Sequence, residues 1–145
     1  MSLDRFAPAE AALKAGKFEE GAAIIERLLA EEPKAPAIVY RNYAAMLVRR
    51  KLYGQAETWT AKGLEIHPRD AELMNLRGVA LRRLDRPAEA IEILSRASRL
   101  APKDRAILTN LGNVYNDIKN PAAIDVFTRI LRVTPNDGDL QRSLG

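Results

Sequence analysis

Between Ala71 and Asp104 the apolar residues recur at steps of three and four. Leu73, Met74, Gly78, Leu81 and Leu84, with Arg77 among them, share one stripe, the spacing of a helix that buries one face. Ala90, Ile91, Leu94, Ala97 and Leu100 form a second stripe. Asp70 stands before the first as an N-cap. Asp85-Arg86-Pro87 separates the two, with the proline suited to the first turn of a new helix. Pro102 then stops the second, because proline cannot continue a helix and pushes its predecessor out of helical geometry. The predicted unit is helix, short turn, helix, stop.

The rest of the chain repeats this plan. Residues 37–70 place Tyr40, Tyr43, Ala44 and Leu47 on a first helix and Ala56, Thr60, Gly63 and Leu64 on a second. Residues 105–137 place Leu108, Leu111, Gly112 and Tyr115, then Ala123, Phe127, Ile130 and Leu131, with the turn Asn120-Pro121 one residue shorter. Residues 2–36 hold the pattern most weakly, through Ala9, Ala12, Gly16, Gly21, Ile25 and Leu28. Pro8 predicts that their first helix starts late or is short. Four prolines mark the period: Pro33, Pro68, Pro102 and Pro135, spaced by 35, 34 and 33 residues. Gly78, Gly112 and Gly145 each follow one of the last three by ten residues. A period near 34 with fixed offsets is the mark of a helical repeat array, whose core lies between neighbouring units.

These residues resemble the tetratricopeptide repeat family over the whole chain. That family pairs a small residue in its first helix with small residues in its second and closes on proline. Gly78, Ala90, Ala97 and Pro102 match that pattern, as do Gly112, Ala123 and Pro135, with Ile130 replacing the last small residue. The resemblance implies an all-α fold of tandem antiparallel helix-turn-helix repeats, stacked in a right-handed superhelix (an α-solenoid). It also implies a concave groove lined by the first helices. One domain, 1–145, then holds repeats at about 2–36, 37–70, 71–104 and 105–137. Residues 138–145 begin a truncated fifth repeat or a capping helix. Leu144-Gly145 falls 33 residues after Leu111-Gly112, so the chain is expected to stop partway along a helix. A piece cut from a longer protein would do so; the other reading is a homodimer through the exposed C-terminal repeat.

Composition narrows the function. With no cysteine and one histidine, disulfides, thiolate catalysis and a transition-metal site are not expected. His67 reads as an exposed turn residue. No phosphate-binding glycine loop or nucleophile elbow is present. Glu19-Glu20 and Glu31-Glu32 read as solubility and helix-dipole features. The chain is therefore expected not to be an enzyme, to need no cofactor and to hold no metal. The N-terminus lacks the apolar run of a signal peptide and no stretch is long enough to cross a bilayer, which makes the cytoplasm the expected location. The net charge of +4 is uneven: residues 37–70 carry +3 and 71–104 carry +2, against −2 for residues 2–36. This biases the chain toward acidic partners without the load of a nucleic-acid binder. Arg49, Arg50, Lys51, Arg82 and Arg83 could meet phosphate, but Tyr43, Tyr115 and Phe127 fall on the packing stripe, so a nucleic-acid partner is not expected.

The family geometry places Arg41, Asn42, Ala45, Val48 and Arg49 on the groove. It adds Asn75, Leu76, Val79, Arg82 and Arg83 from the third unit, and Thr109, Asn110, Asn113, Asn116 and Asp117 from the fourth. The expected peptide-binding residues are Arg41, Asn42, Arg49, Asn75, Arg82, Arg83, Asn110, Asn113 and Asn116. Asparagine can grip a peptide backbone as donor and acceptor, and arginine captures carboxylate. The clamp that some family members use for a C-terminal carboxylate is matched at Asn42 only, because Phe6, Glu10, Glu72 and Leu76 fill its other places. A ladder of one groove asparagine per repeat is matched at Asn42 and Asn110 and broken at Leu76. The expected function is a protein–protein interaction scaffold that holds an acidic partner segment. The alternative is a regulatory or substrate-presenting segment of a larger multidomain enzyme.

Overall fold

The computed structural model describes residues 3–133. Residues 138–145, with Pro135 and the Leu144-Gly145 pair, lie outside the described residues. Among those described, a 3₁₀ turn at Leu3–Phe6 precedes eight α-helices. They are α1 (Ala7–Lys14), α2 (Phe18–Glu31), α3 (Ala37–Arg49), α4 (Tyr53–Ile66), α5 (Ala71–Arg83), α6 (Pro87–Leu100), α7 (Arg105–Asp117) and α8 (Ala122–Val133). α1 pairs with α2, α3 with α4, α5 with α6 and α7 with α8 through short turns, the geometry that makes consecutive helices antiparallel neighbours. α1 has eight residues, with Pro8 in its first turn.

Two kinds of local chemistry set the boundaries. Asp70 and Asp104 cap α5 and α7, their side chains accepting from Leu73 N–H at 2.9 Å and Ile107 N–H at 3.1 Å. Between the two helices of each hairpin, one residue adopts left-handed backbone: Gly16 (φ 80°), Lys51 (62°), Asp85 (59°) and Lys119 (55°). The next amide bonds back to the preceding helix in every case: Lys17 to Ala12, Leu52 to Leu47, Arg86 to Leu81 and Asn120 to Tyr115, at 2.8–2.9 Å. This closure satisfies carbonyls that the helix end leaves open. Gly16 therefore belongs to the turn and is exposed, whereas the apolar spacing had put it on the packing stripe.

The core is a strip running the length of the array. One stretch joins Phe6, Ile25, Leu29, Tyr40, Tyr43, Leu47, Trp59 and Leu73. The next runs from Met74 and Leu81 through Leu94, Ala97, Ile107 and Leu111 to Val126. Leu64 touches both. Gly78 allows α5 and α6 to close: a Cβ there would lie 2.4 Å from Leu94 Cγ. α5 is the most enclosed helix, with α3, α4, α6 and α7 all against it. This explains why Asn75, Leu76 and Ala80 are buried beside the expected stripe.

The stripe shifts elsewhere. In α6, Leu100 is exposed while Ile93 and Ser98 are buried, the Ser98 hydroxyl being satisfied by Ser95 C=O at 2.8 Å. In α8, Ala123 and Val126 are buried, whereas Phe127 and Leu131, expected in the core, are exposed. Phe127 lies over Gly112 with one ring edge in the open. Tyr115 is half-buried.

His67 also departs from expectation. It is half-buried, its Nε2–H donates to Ala35 C=O at 2.7 Å, and its ring meets Tyr40 edge-on. It ties the end of α4 to the linker before α3. Glu57 of α4 joins α5 and the turn before α6. Its carboxylate lies 2.7 Å from Arg86 Nη1, and its backbone carbonyl accepts from Arg77 Nη1 at 3.0 Å.

Candidate functional site: the inner face of the first helices

α3 lies against α5 and α5 against α7, so the first helices of the second, third and fourth hairpins share one face. α1 does not come as near to α3. Tyr43 of α3 is buried and its hydroxyl donates to Glu26 of α2, which ties the second hairpin to the first, with Ile25 beside it. Burial, then the bond to Glu26, drives the Tyr43 hydroxyl far above its ordinary pKa, so it remains a donor. The separation leaves a cavity of about 520 Å³ between α1 and α3.

That cavity is mostly apolar. Phe6, Leu13, Ile25, Val39 and Met46 line it, while Glu10, Lys14, Asn42 and Arg49 supply its polar groups. Ile38 also lines it although 45% exposed. Neither Lys14 nor Arg49 makes an ion pair with the described residues. A cation beside low-dielectric walls attracts an anion more strongly than one in open water.

The nine expected residues divide into groups. Asn42 and Arg49 are exposed and meet at the cavity. Arg41 is turned to the next hairpin, its Nε 3.3 Å from the capping carboxylate of Asp70. Asn75 is buried and accepts from Asn110 Nδ2 at 2.8 Å. Arg82 makes a two-pronged contact with Asp117, with Nη2 donating to Oδ1 at 3.0 Å and Nε to Oδ2. The hydrogen bond from Arg82 holds the Asp117 carboxyl below its ordinary pKa and raises Arg82 in return. Arg83 and Asn116 are exposed and Asn113 is half-buried, all outside the cavity. The structure thus brings two of the nine to the opening and pairs two others with each other.

Phe6, Glu10, Leu13 and Lys14 were not among the expected residues, nor were Ile38, Val39 and Met46. A signal for the last three is present in α3. Ile38, Asn42, Ala45 and Arg49 step by four, three and four, with Val39 and Met46 adjoining, which makes a second stripe beside the core one. Phe6 and Glu10 fall at clamp places of the family pattern, which marks them as inner-face positions, whereas Leu13 and Lys14 carry no such signal.

Among the described residues no group of histidine, cysteine, aspartate or glutamate could hold a metal ion. No described helix is long and apolar enough to cross a membrane. The sequence matches models described as Tetratricopeptide repeat at residues 12–79 and 71–114. The chain belongs to the tetratricopeptide repeat family.

Solved tetratricopeptide-like solenoids have the same fold. MamA 41-end from Desulfovibrio magneticus RS-1 superposes with a TM-score of 0.79 at 19% identity, covering 92% of this chain and 75% of that one. MamA MSR-1 C2 gives 0.76 at 23% identity, with 90% and 75% covered. At these identities the likeness is one of fold. Protein unc-45 homolog B from Xenopus tropicalis is 26% identical over 100 residues, 69% of this chain and 11% of that protein. Its Danio rerio counterpart is 25% identical over 89 residues, 61% and 10%. The chain spans about a tenth of the length of these curated relatives. Tetratricopeptide repeats of this kind are protein-interaction scaffolds, which sets the functional class.

Proposed function

We propose that this array holds an acidic segment of a protein partner on its inner face, at the opening between α1 and α3. The observation that supports it most is the meeting of Asn42 and Arg49 at a cavity of about 520 Å³, within the roughly 300–1,000 Å³ usual for built sites. Asn42 can hold a partner's backbone by its amide, and Arg49 can take a carboxylate in two parallel bonds. Arg82 and Asn75 are engaged by neighbours, so their share is to stiffen the face beside the opening. A reducing, cytoplasmic setting belongs to the same reading, as does a protein rather than a nucleic acid as partner.

The test is a peptide array probed with the wild type and with Arg49→Glu at two salt concentrations. Selective capture of acidic peptides is expected, weakened by salt and by about tenfold or more in the variant, the scale of a desolvated charge contact. Capture that ignores both changes would sink this reading.

A further inference from the structure

The opening between α1 and α3 is more apolar than an acid-binding groove requires. The space between the hairpins is walled by Leu13, Ile25, Val39, Tyr43 and Met46. Burying such surface against a partner's apolar side chain is favourable by roughly 25 cal/mol per Å². The cavity's 520 Å³ accommodates a bulky side chain together with the backbone that carries it. Its cations are placed beside the apolar walls: Lys14 ends α1, Arg49 ends α3, and neither has an ion partner among the described residues. Glu10, one turn before Lys14, is the acidic group that lines the space. Two lysine or arginine charges against one carboxylate leave the rim net positive.

Farther along the inner face the chemistry is different. There α5 lies against α7, Asn110 is bonded to Asn75, and Arg82 is neutralised by Asp117. A ligand that used Asn75 or Arg82 would have to break these contacts, and among the described residues no apolar cavity flanked by cations adjoins them. Apolar walls and cations without ion partners therefore coincide at the opening between α1 and α3.

We infer that the partner segment is anchored by one bulky aliphatic or aromatic side chain inserted between α1 and α3, with an acidic residue within two positions of it meeting Arg49 or Lys14. This rests on the inner-face reading above and adds the anchor, the spacing and the confinement to the first two hairpins. Charge complementarity at the net-positive rim selects an acidic partner segment.

The test is selection from a randomised octapeptide library with the full chain, comparing wild type, Arg49→Glu and Ala45→Phe, which fills the cavity from α3. Circular dichroism and thermal melting verify folding of each variant. Should Ala45→Phe fail to fold, Ile38→Glu changes the same wall at an exposed position. The expected consensus pairs leucine, isoleucine, methionine or phenylalanine with aspartate or glutamate within two positions. Arg49→Glu should lose the acidic preference, and Ala45→Phe should lose the apolar one with at least a tenfold drop in affinity. A consensus of acids alone, lost in Arg49→Glu and kept in Ala45→Phe, overturns the anchor and leaves the inner-face reading standing. Selection indifferent to both variants overturns both. Concentration-dependent self-association that Ala45→Phe abolishes, with no peptide selected, assigns the cavity to a second copy and overturns the peptide anchor.

Discussion

Asn110 donates from its side-chain amide to the buried carbonyl oxygen of Asn75, 2.8 Å away, across the seam between α5 and α7. The two residues sit 35 positions apart, one repeat plus one. Removing Asn110 strands a buried acceptor, which costs about 1–3 kcal/mol. Asn110→Ala should therefore lower the stability measured by urea unfolding by about that amount. The double variant Asn75→Leu/Asn110→Ala should recover part of it, because no polar group is then left buried. Neither change should alter the peptide consensus if binding is confined to α1 and α3.

Two helical glycines should respond to alanine with opposite signs. At Gly78 an added Cβ meets Leu94 atoms at 2.4–2.9 Å, and overpacking costs about 1–3 kcal/mol, more than the helix-propensity gain of about 1 kcal/mol. Gly78→Ala should lower the melting temperature. At Gly54, early in α4 and exposed, a Cβ meets nothing within 4 Å. Gly54→Ala should raise it.

Lys51 closes α3 in left-handed backbone at φ 62°, where a Cβ is strained by roughly 1–2 kcal/mol. Lys51→Gly should stabilise the array by about 0.5–1 kcal/mol in urea unfolding, the relief being partly offset by glycine's greater freedom in the unfolded chain. Asp85→Gly should yield less, since aspartate tolerates this conformation better than lysine.

The Glu72 carboxyl has its pKa raised, first by burial and then by the nearby charges of Asp104 and Asp70, against the opposing pull of Arg41. A carboxyl that holds its proton more tightly when folded favours the fold at low pH and opposes it once ionised. Its stabilising contribution is present below the unfolded pKa and becomes a penalty as pH rises through the folded one. Glu72→Gln should thus be more stable than wild type at pH 7, with the difference vanishing near pH 3. Asp117, whose pKa is lowered by Arg82, has the opposite sign: its pair supports the fold above the unfolded pKa and is lost as pH falls through the folded one. Being exposed, that pair is worth about 0–1 kcal/mol. Unfolding curves of Glu72→Gln and Asp117→Asn across pH would separate the two.

The sequence by itself determined the order of the four hairpins among the described residues. Periodicity places apolar residues on one helix face whatever lies opposite, and Asp70, Asp104, Pro87 and Pro102 act within a turn or two of their own positions. These signals are local, so they survive in one dimension. Arg49 and Asn42 became inner-face candidates through the family resemblance, since periodicity alone does not say which polar face lines a groove.

Only the tertiary structure decided which inner-face groups are open. Arg82 and Asn75 looked equivalent to Arg49 and Asn42, yet the first pair is engaged by α7 and the second faces a cavity. His67 looked like a turn residue until the linker carbonyl of Ala35 came within 2.7 Å. The cavity itself lies where α1 does not approach α3 as α3 approaches α5. The spacing between stacked helices depends on the volumes that meet across the seam, and those come from residues far apart in the chain.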